Sequence, residues 1–238
     1  MTKWMRRLAL SVGVLLAIMT GAVAWAYPTL AAAACPGCYG MERVAPGLIV
    51  EASMETEVRR RVTSDLAAAH ATVAAFYDGL DIDMPAVIVA CATEPCDRRL
   101  GGLGARATIY STPFGSAIRV APRGLDRTIL THEMAHVALH RRIGVHRQMS
   151  GAVPAWFDEG LAILISKDAR YIRPGRGRER CVEEPDGPLP ANPFEWAPLS
   201  GRDPMVYAKA ACAVVLWMEE NGGRAGLLAA IERGEDLP

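Results

Sequence analysis

Two short segments hold the residues of this chain best suited to chemistry. Residues 132–136 read His-Glu-Met-Ala-His, and residues 156–162 read Trp-Phe-Asp-Glu-Gly-Leu-Ala. On a helix, His132 and His136 share a face and can bind one metal ion. Glu133 lies about 100° round the same helix and can address a metal-bound water instead of the metal. Glu159 is the candidate third ligand, because a carboxylate in an otherwise apolar helix needs a partner or a metal. A first-turn glutamate favoured by the helix dipole gives the same pattern, and Asp158 competes for the ligand role. Three ligands and one open position describe a catalytic zinc site, whereas structural sites are closed.

These residues need two helices to position them. Asp126 is a good N-cap before Arg127-Thr128-Ile129-Leu130. Apolar residues then recur near helical period at Ile129, Leu130, Met134, Val137 and Ala138. Arg141 and Arg142 suit the C-terminal end of the dipole, and Gly144 is a natural stop. Pro154 fits the first turn of a second helix running to Lys167.

His132-Glu133-x-x-His136 followed by Trp156-x-x-Glu159-Gly160-x-Ala162 resembles the gluzincin superfamily of zinc metallopeptidases. The resemblance covers roughly residues 118–217. It implies an α+β, zincin-like catalytic domain with a small mixed sheet, the His-Glu-x-x-His helix, and a C-terminal helical part carrying the third ligand. It also implies one zinc ion (Zn2+) per chain on His132, His136 and Glu159, with Glu133 as general base toward a zinc-bound water. The reaction would be hydrolysis of a peptide or protein substrate. Tyr207 is the implied donor to the developing oxyanion. Tyr207 also falls on the apolar stripe Ala211, Val214, Val215 and Met218, where a tyrosine can simply pack.

Departures from the family pattern narrow the reading. The 22 residues between His136 and Glu159 are a few more than in the aminopeptidase branch, and the extra ones fall to the loop 144–153. The Gly-x-Met-Glu-Asn strand of that branch is absent, and residues 114–119 read Phe-Gly-Ser-Ala-Ile-Arg, which favours endopeptidase over aminopeptidase action. Ile163 stands where thermolysin-like members carry an Asp, so Asp158 or a backbone carbonyl must orient a ligand histidine.

His140 lies eight residues past His132, about 6 Å beyond His136 along the axis, and reads as a helix-end histidine. His70 and His146 have no motif around them and read as solvated. Cys91, 41 residues before His132, permits a deformylase-like site, but its neighbours do not match one. A rival of another class is a non-catalytic envelope assembly or binding protein with a structural or vestigial zinc site. Glu133 argues against that rival, since such a site needs no base.

Lys3, Arg6 and Arg7 precede an apolar stretch, Leu8 to Ala26, of 19 residues. Residues 1–34 read as a cleaved signal peptide or an uncleaved transmembrane signal anchor. Either puts the remainder outside the cytoplasm, in a bacterial periplasm or anchored to the inner membrane facing it. A lipoprotein at Cys35 is a third reading, weakened by Ala32 where leucine is usual. The six cysteines agree with export, and of the fifteen pairings that six cysteines allow, Cys35–Cys38, Cys91–Cys96 and Cys181–Cys212 is the expected one. Cys35-Pro36-Gly37-Cys38 could also be a redox or zinc pair, though no second such pair accompanies it.

Acidic and basic residues balance at 26 each, and no basic patch with interleaved aromatics argues for nucleic acid. Residues 35–238 suffice for a single domain with a real core. A helix is expected over Ser53–Leu80, with Val58, Val62, Leu66, Ala69 and Val73 on one face. Strands are expected at Pro85–Ala90, Ala105–Tyr110 and Ala117–Ala121, the last two around a turn at Pro113–Gly115. In the resembled family such a strand pairs with extended substrate. The proline- and glycine-rich segment Arg170–Asp203 reads as a lid, a cleft wall or a surface insertion. Helices at Met205–Glu220 and Arg224–Arg233 close the chain.

Overall fold

The computed structural model describes residues 3–79, 86–112 and 115–238. The fold is α+β, with a five-stranded mixed sheet and helices that precede, interrupt and follow it. Two compact units form, one from residues 1–59 and 86–125, the other from residues 60–85 and 126–238.

The first unit opens with α1 (Lys3–Ala26) and α2 (Pro28–Ala34). Helix α1 exposes apolar side chains such as Leu10, Val14 and Ile18. Among the described residues no helix is long and apolar enough to cross a membrane, so the transmembrane form of the N-terminus gains nothing from the structure. The sheet comprises β1 (Met41–Ala45), β2 (Leu48–Glu51), β3 (Ala86–Ala90), β4 (Ala107–Thr112) and β5 (Gly115–Val120), in the order β1-β2-β3-β5-β4. The central strands β2, β3 and β5 are parallel, and β1 and β4 flank them antiparallel. Ile49, Val89 and Ala90 are buried, as the middle of a parallel sheet requires.

Strands β1 and β2 were not expected from the sequence. Leu-Ile-Val-Glu is too short a run to declare itself without its partner. The strand expected from Pro85 is described from Ala86, because Pro85 lies outside the described residues, as do Leu80 at the end of the expected helix and Pro113 and Phe114 in the expected turn. The helix α4 (Glu94–Arg99) starts at a Thr93 cap that accepts from the Cys96 amide. Glu51, at the end of β2, accepts from the Ala92 and Thr93 amides and the Thr93 hydroxyl at 2.8–2.9 Å. Asp97 on α4 and Arg119 on β5 form a buried ion pair, and Thr108 accepts a second guanidinium bond at 2.8 Å. Cys35–Cys38 and Cys91–Cys96 are disulfides of this unit.

Helix α3 (Thr56–Phe76) starts three residues later than expected and buries Val62, Leu66, Ala69 and Val73 on one face. The second unit contains α5 (Arg127–Met149), α6 (Ala155–Ser166), α7 (Pro193–Arg202), α8 (Val206–Glu220) and α9 (Gly223–Arg233). Asp126 caps α5, accepting from the Ile129 amide at 2.9 Å. Gly144 does not end α5. It breaks the helix with φ 78° and ψ 155°, a conformation open to glycine, and one further turn follows. The expected loop 144–153 is therefore partly helical.

Helix α6 is buried against both α5 and α8. Phe157, Leu161, Ala162, Ile163 and Ile165 are all buried, the pattern of a helix covered nearly all round. Gly160 lets α8 come this close, because a Cβ there would lie 2.4 Å from the Ala210 carbonyl oxygen and 2.8 Å from a Val214 methyl. Lys167 ends α6 in the left-handed region with φ 53°.

The segment Arg170–Asp203 is structured rather than a plain loop. Ile172 bridges to Cys181, residues 177–180 form a 3-10 turn, and Cys181–Cys212 ties the segment to α8. Helix α7 was missed because Pro198 interrupts its pattern. Its start was nevertheless written in Asn192-Pro193-Phe194-Glu195, where the Asn192 side chain accepts from the Glu195 amide at 2.9 Å.

The α6–α8 contact yields a stability prediction. Gly160→Ala should cost about 1–3 kcal/mol by forcing the two backbones apart, read as a lower urea midpoint at unchanged slope. An unchanged midpoint would mean that the helices can separate without loss.

Candidate functional site

The site forms where the histidine face of α5 meets the first turn of α6. His132 Nε2 lies 3.1 Å from His136 Nε2 and 3.2 Å from Glu159 Oε2, and His136 Nε2 lies 3.6 Å from the same Glu159 oxygen. Three ligand-type atoms thus face one another in a nearly equilateral triangle. A tetrahedral ion with ligands at about 2.0–2.1 Å holds them about 3.3 Å apart. The three sequence-predicted ligand residues therefore meet at the spacing a tetrahedral zinc would require, and with two imidazoles and a carboxylate they have the chemistry such an ion takes.

Asp158 serves differently. Its Oδ1 accepts from His136 Nδ1 at 2.6 Å, and its Oδ2 from His140 Nε2 at 2.6 Å. His136, His140 and Asp158 also cluster tightly enough to suggest a metal. Contacts of 2.6 Å are hydrogen-bond distances, however, and too short for neighbouring ligands around one tetrahedral ion. Asp158 thus bonds His136 Nδ1 instead of joining the triangle, the placement expected of an orienting group. His136 directs Nδ1 at a carboxylate and Nε2 at the other ligand atoms, the two-sided arrangement of metal-bound histidines.

Charge follows from these contacts. Burial pushes the Asp158 carboxyl up, but His136 and His140 outweigh it through charge and hydrogen bonds, and it lies well below the usual carboxylate range. Glu159 is likewise pushed up by burial, then drawn down to about 2 by its bonds to His132 and His136 and by their charge. Burial lowers His136, yet Asp158 and Glu159 raise it well above the ordinary imidazole value. Glu133 is buried, and its carboxyl is raised, chiefly by burial; the nearby His132 and His136 oppose the shift, while Glu159 and Asp158 add to it. A raised carboxyl beside the ligand triangle suits a group that takes up and releases a proton.

Tyr207, in the first turn of α8, is half-buried. Its ring stacks on Tyr171 at 5.3 Å and meets Trp196 edge-on at 5.2 Å. Burial raises its phenol, and the charge of Glu159 adds to the rise. It therefore packs in an aromatic cluster, as its place on the apolar stripe anticipated, within the field of the Glu159 carboxylate.

Two histidine expectations need correction, and the expected pairing of Cys91 is observed. His140 is no helix-end histidine but a partner of Asp158, because that carboxylate arrives from α6 and bridges two turns of α5. His70 is half-buried rather than solvated, and its imidazole is lowered by burial. Cys91 is fully buried and bonded to Cys96, so it offers no thiolate to a deformylase-like site. Gln148, which sequence reasoning passed over, has its amide nitrogen 2.9 Å from His140 Nδ1. The continued four-residue spacing from His136 to His140 was the available signal for the first. Nothing in the sequence signalled Gln148, because it lies beyond the break at Gly144.

Just past α6, the Asp168 carboxylate is buried and holds the Arg170 guanidinium through several bonds, among them 2.9 Å from Nε to Oδ1. Arg170 also lies over the Tyr171 ring that stacks on Tyr207.

Compared with known protein families, curated proteins and solved structures, the chain finds no match.

Asp168 supplies a pH prediction. Burial pushes its carboxyl up, but the Arg170 hydrogen bonds prevail and lower it. A lowered carboxyl stabilises the fold fully above its unfolded value of about 4, and this contribution disappears as pH falls through the folded value. Asp168→Asn should therefore lose stability relative to wild type above about pH 4, with the difference shrinking toward acid. Urea unfolding across that range should show the convergence, and a constant difference would contradict it.

Proposed function

We propose that this chain is an exported zinc-dependent peptidase of the gluzincin kind, acting on peptide or protein substrates and more as an endopeptidase than an aminopeptidase. The observation that carries the reading is the triangle of His132, His136 and Glu159 atoms at 3.1, 3.2 and 3.6 Å. One zinc ion held there would polarise the scissile carbonyl and make water nucleophilic near neutral pH. Glu133, buried beside the ligands with a raised carboxyl, takes a proton from the attacking water and returns it to the leaving amine. Asp158 holds the His136 ring in place through Nδ1. Tyr207 is the candidate donor to the oxyanion. The zincin-like classification of the fold belongs to this proposal, supported by the His-Glu-x-x-His helix packed on the helix that carries Glu159.

Three disulfides support an oxidising compartment, which for this chain we take to be the periplasm. The N-terminal segment would deliver it there, cleaved or retained at the inner membrane. The rival, a non-catalytic envelope protein, would keep the ligands without needing a base.

The test is metal content and proteolysis of an unstructured protein substrate by the full chain. About one zinc per chain is expected, lost in Glu159→Ala and retained in Cys91→Ala. Glu133→Gln should keep the zinc and lose at least about a hundredfold in turnover. Full activity in Glu133→Gln would overturn the mechanism. Wild type that binds zinc but cleaves nothing would favour the envelope protein, and wild type without zinc would overturn the metal site.

A further inference from the structure

His132, His136 and His140 occupy one face of α5 at successive four-residue steps, but only the first two meet Glu159. His140 turns its Nε2 to Asp158 and its Nδ1 to Gln148. On an unbroken helix eight residues rise about 12 Å, too far for Gln148 to reach His140. The break at Gly144, with φ 78°, turns the last helical stretch so that the Gln148 amide nitrogen comes within 2.9 Å of Nδ1.

The hydrogen bonds have one consistent direction. The Gln148 amide N–H donates to His140 Nδ1, so that nitrogen carries a lone pair and the ring proton sits on Nε2. Nε2–H then donates to Asp158 Oδ2, and His136 Nδ1–H donates to Oδ1 of the same carboxylate. Each Asp158 oxygen is held by an imidazole, and the carboxylate cannot swing away from His136.

We infer that Gln148 and His140 are positioning residues of the metal site: Gln148 holds the His140 ring through Nδ1, His140 clamps Asp158, and Asp158 fixes the His136 ring with Nε2 aimed at the metal position. The inference rests on the reading of His132, His136 and Glu159 as ligands. Neither residue offers an atom to the ligand triangle; His140 lies beside the His136 ring, with centroids 6.0 Å apart, and both residues act through Asp158. Partners of this kind affect metal affinity by about ten- to a hundredfold, and the effect should decline along the chain from His140 to Gln148.

The experiment pairs zinc titration of the full chain with long-range nitrogen–proton spectra of histidine-labelled protein, at a pH where a free imidazole is neutral. His140→Phe should weaken zinc binding about tenfold. His140→Gln, whose amide can still donate to Asp158, should recover much of that loss, which a purely space-filling role would not predict. Gln148→Leu should weaken binding less than His140→Phe and leave the His140 proton on Nε2, where Asp158 holds it. In wild type, His140 should carry its proton on Nε2. Zinc binding by wild type with unchanged affinity in His140→Phe would overturn the inference and leave the metal site standing. Absence of zinc binding in wild type would overturn the metal reading and with it the positioning role. A wild-type His140 protonated on Nδ1 would overturn the relay whether or not zinc binds.

Discussion

The carboxylate of Asp158 serves two imidazoles at once, and it can do so only because the first turn of α6 lies against the histidine face of α5. Consecutive helical residues diverge by about 100°. At this crossing the divergence is what the site needs: Glu159 reaches back to His132 and His136, while Asp158 reaches along α5 to His136 and His140. A one-residue change in the register of α6 would part both half-buried carboxylates from the three histidines. The crossing of these two helices is therefore the constraint from which the cluster follows.

That crossing is secured from the other side. Helix α6 buries apolar residues toward α5 and α8 together, and Gly160, immediately after Glu159, is where the α8 backbone comes closest. The Phe157 ring meets Trp217 edge-on at 5.2 Å. A helix gripped on two faces can carry charged groups in its first turn, where the dipole favours acids and the histidines satisfy them. The Cys181–Cys212 disulfide fastens the neighbouring segment to α8, and that segment contributes Trp196 and Tyr171 to the aromatic cluster around Tyr207.

The sheet-bearing unit follows different rules. Its two charged groups below 2 % exposure, Arg119 and Asp97, are paired with each other, and Glu51 spends its oxygens on the amides and hydroxyl that open α4. Asp97 and Thr108 each take one Arg119 terminal nitrogen, while the buried Nε has no partner, so the pair directs how a helix sits on the sheet more than it adds stability. Two of the three disulfides close short loops in this unit.

Local features were legible in the sequence because local physics decides them. Spacing of four placed His132 and His136 on one face, Asp126 capped the helix, and the apolar run after Pro154 made a buried helix with Glu159 about one turn in. The even cysteine count anticipated three disulfides, and short separations anticipated two of the pairings. What the sequence could not decide were choices made by contact between distant segments. Whether Asp158 is a ligand or an orienting group depends on which histidine α6 brings it to. Whether His140 is idle depends on a carboxylate 18 residues away. Gln148 matters only because Gly144 redirects the chain, and β1 and β2 become strands only beside β3. Tertiary packing settled these because a hydrogen bond or a strand pair needs its partner in place, and partners remote in sequence leave no periodicity to read.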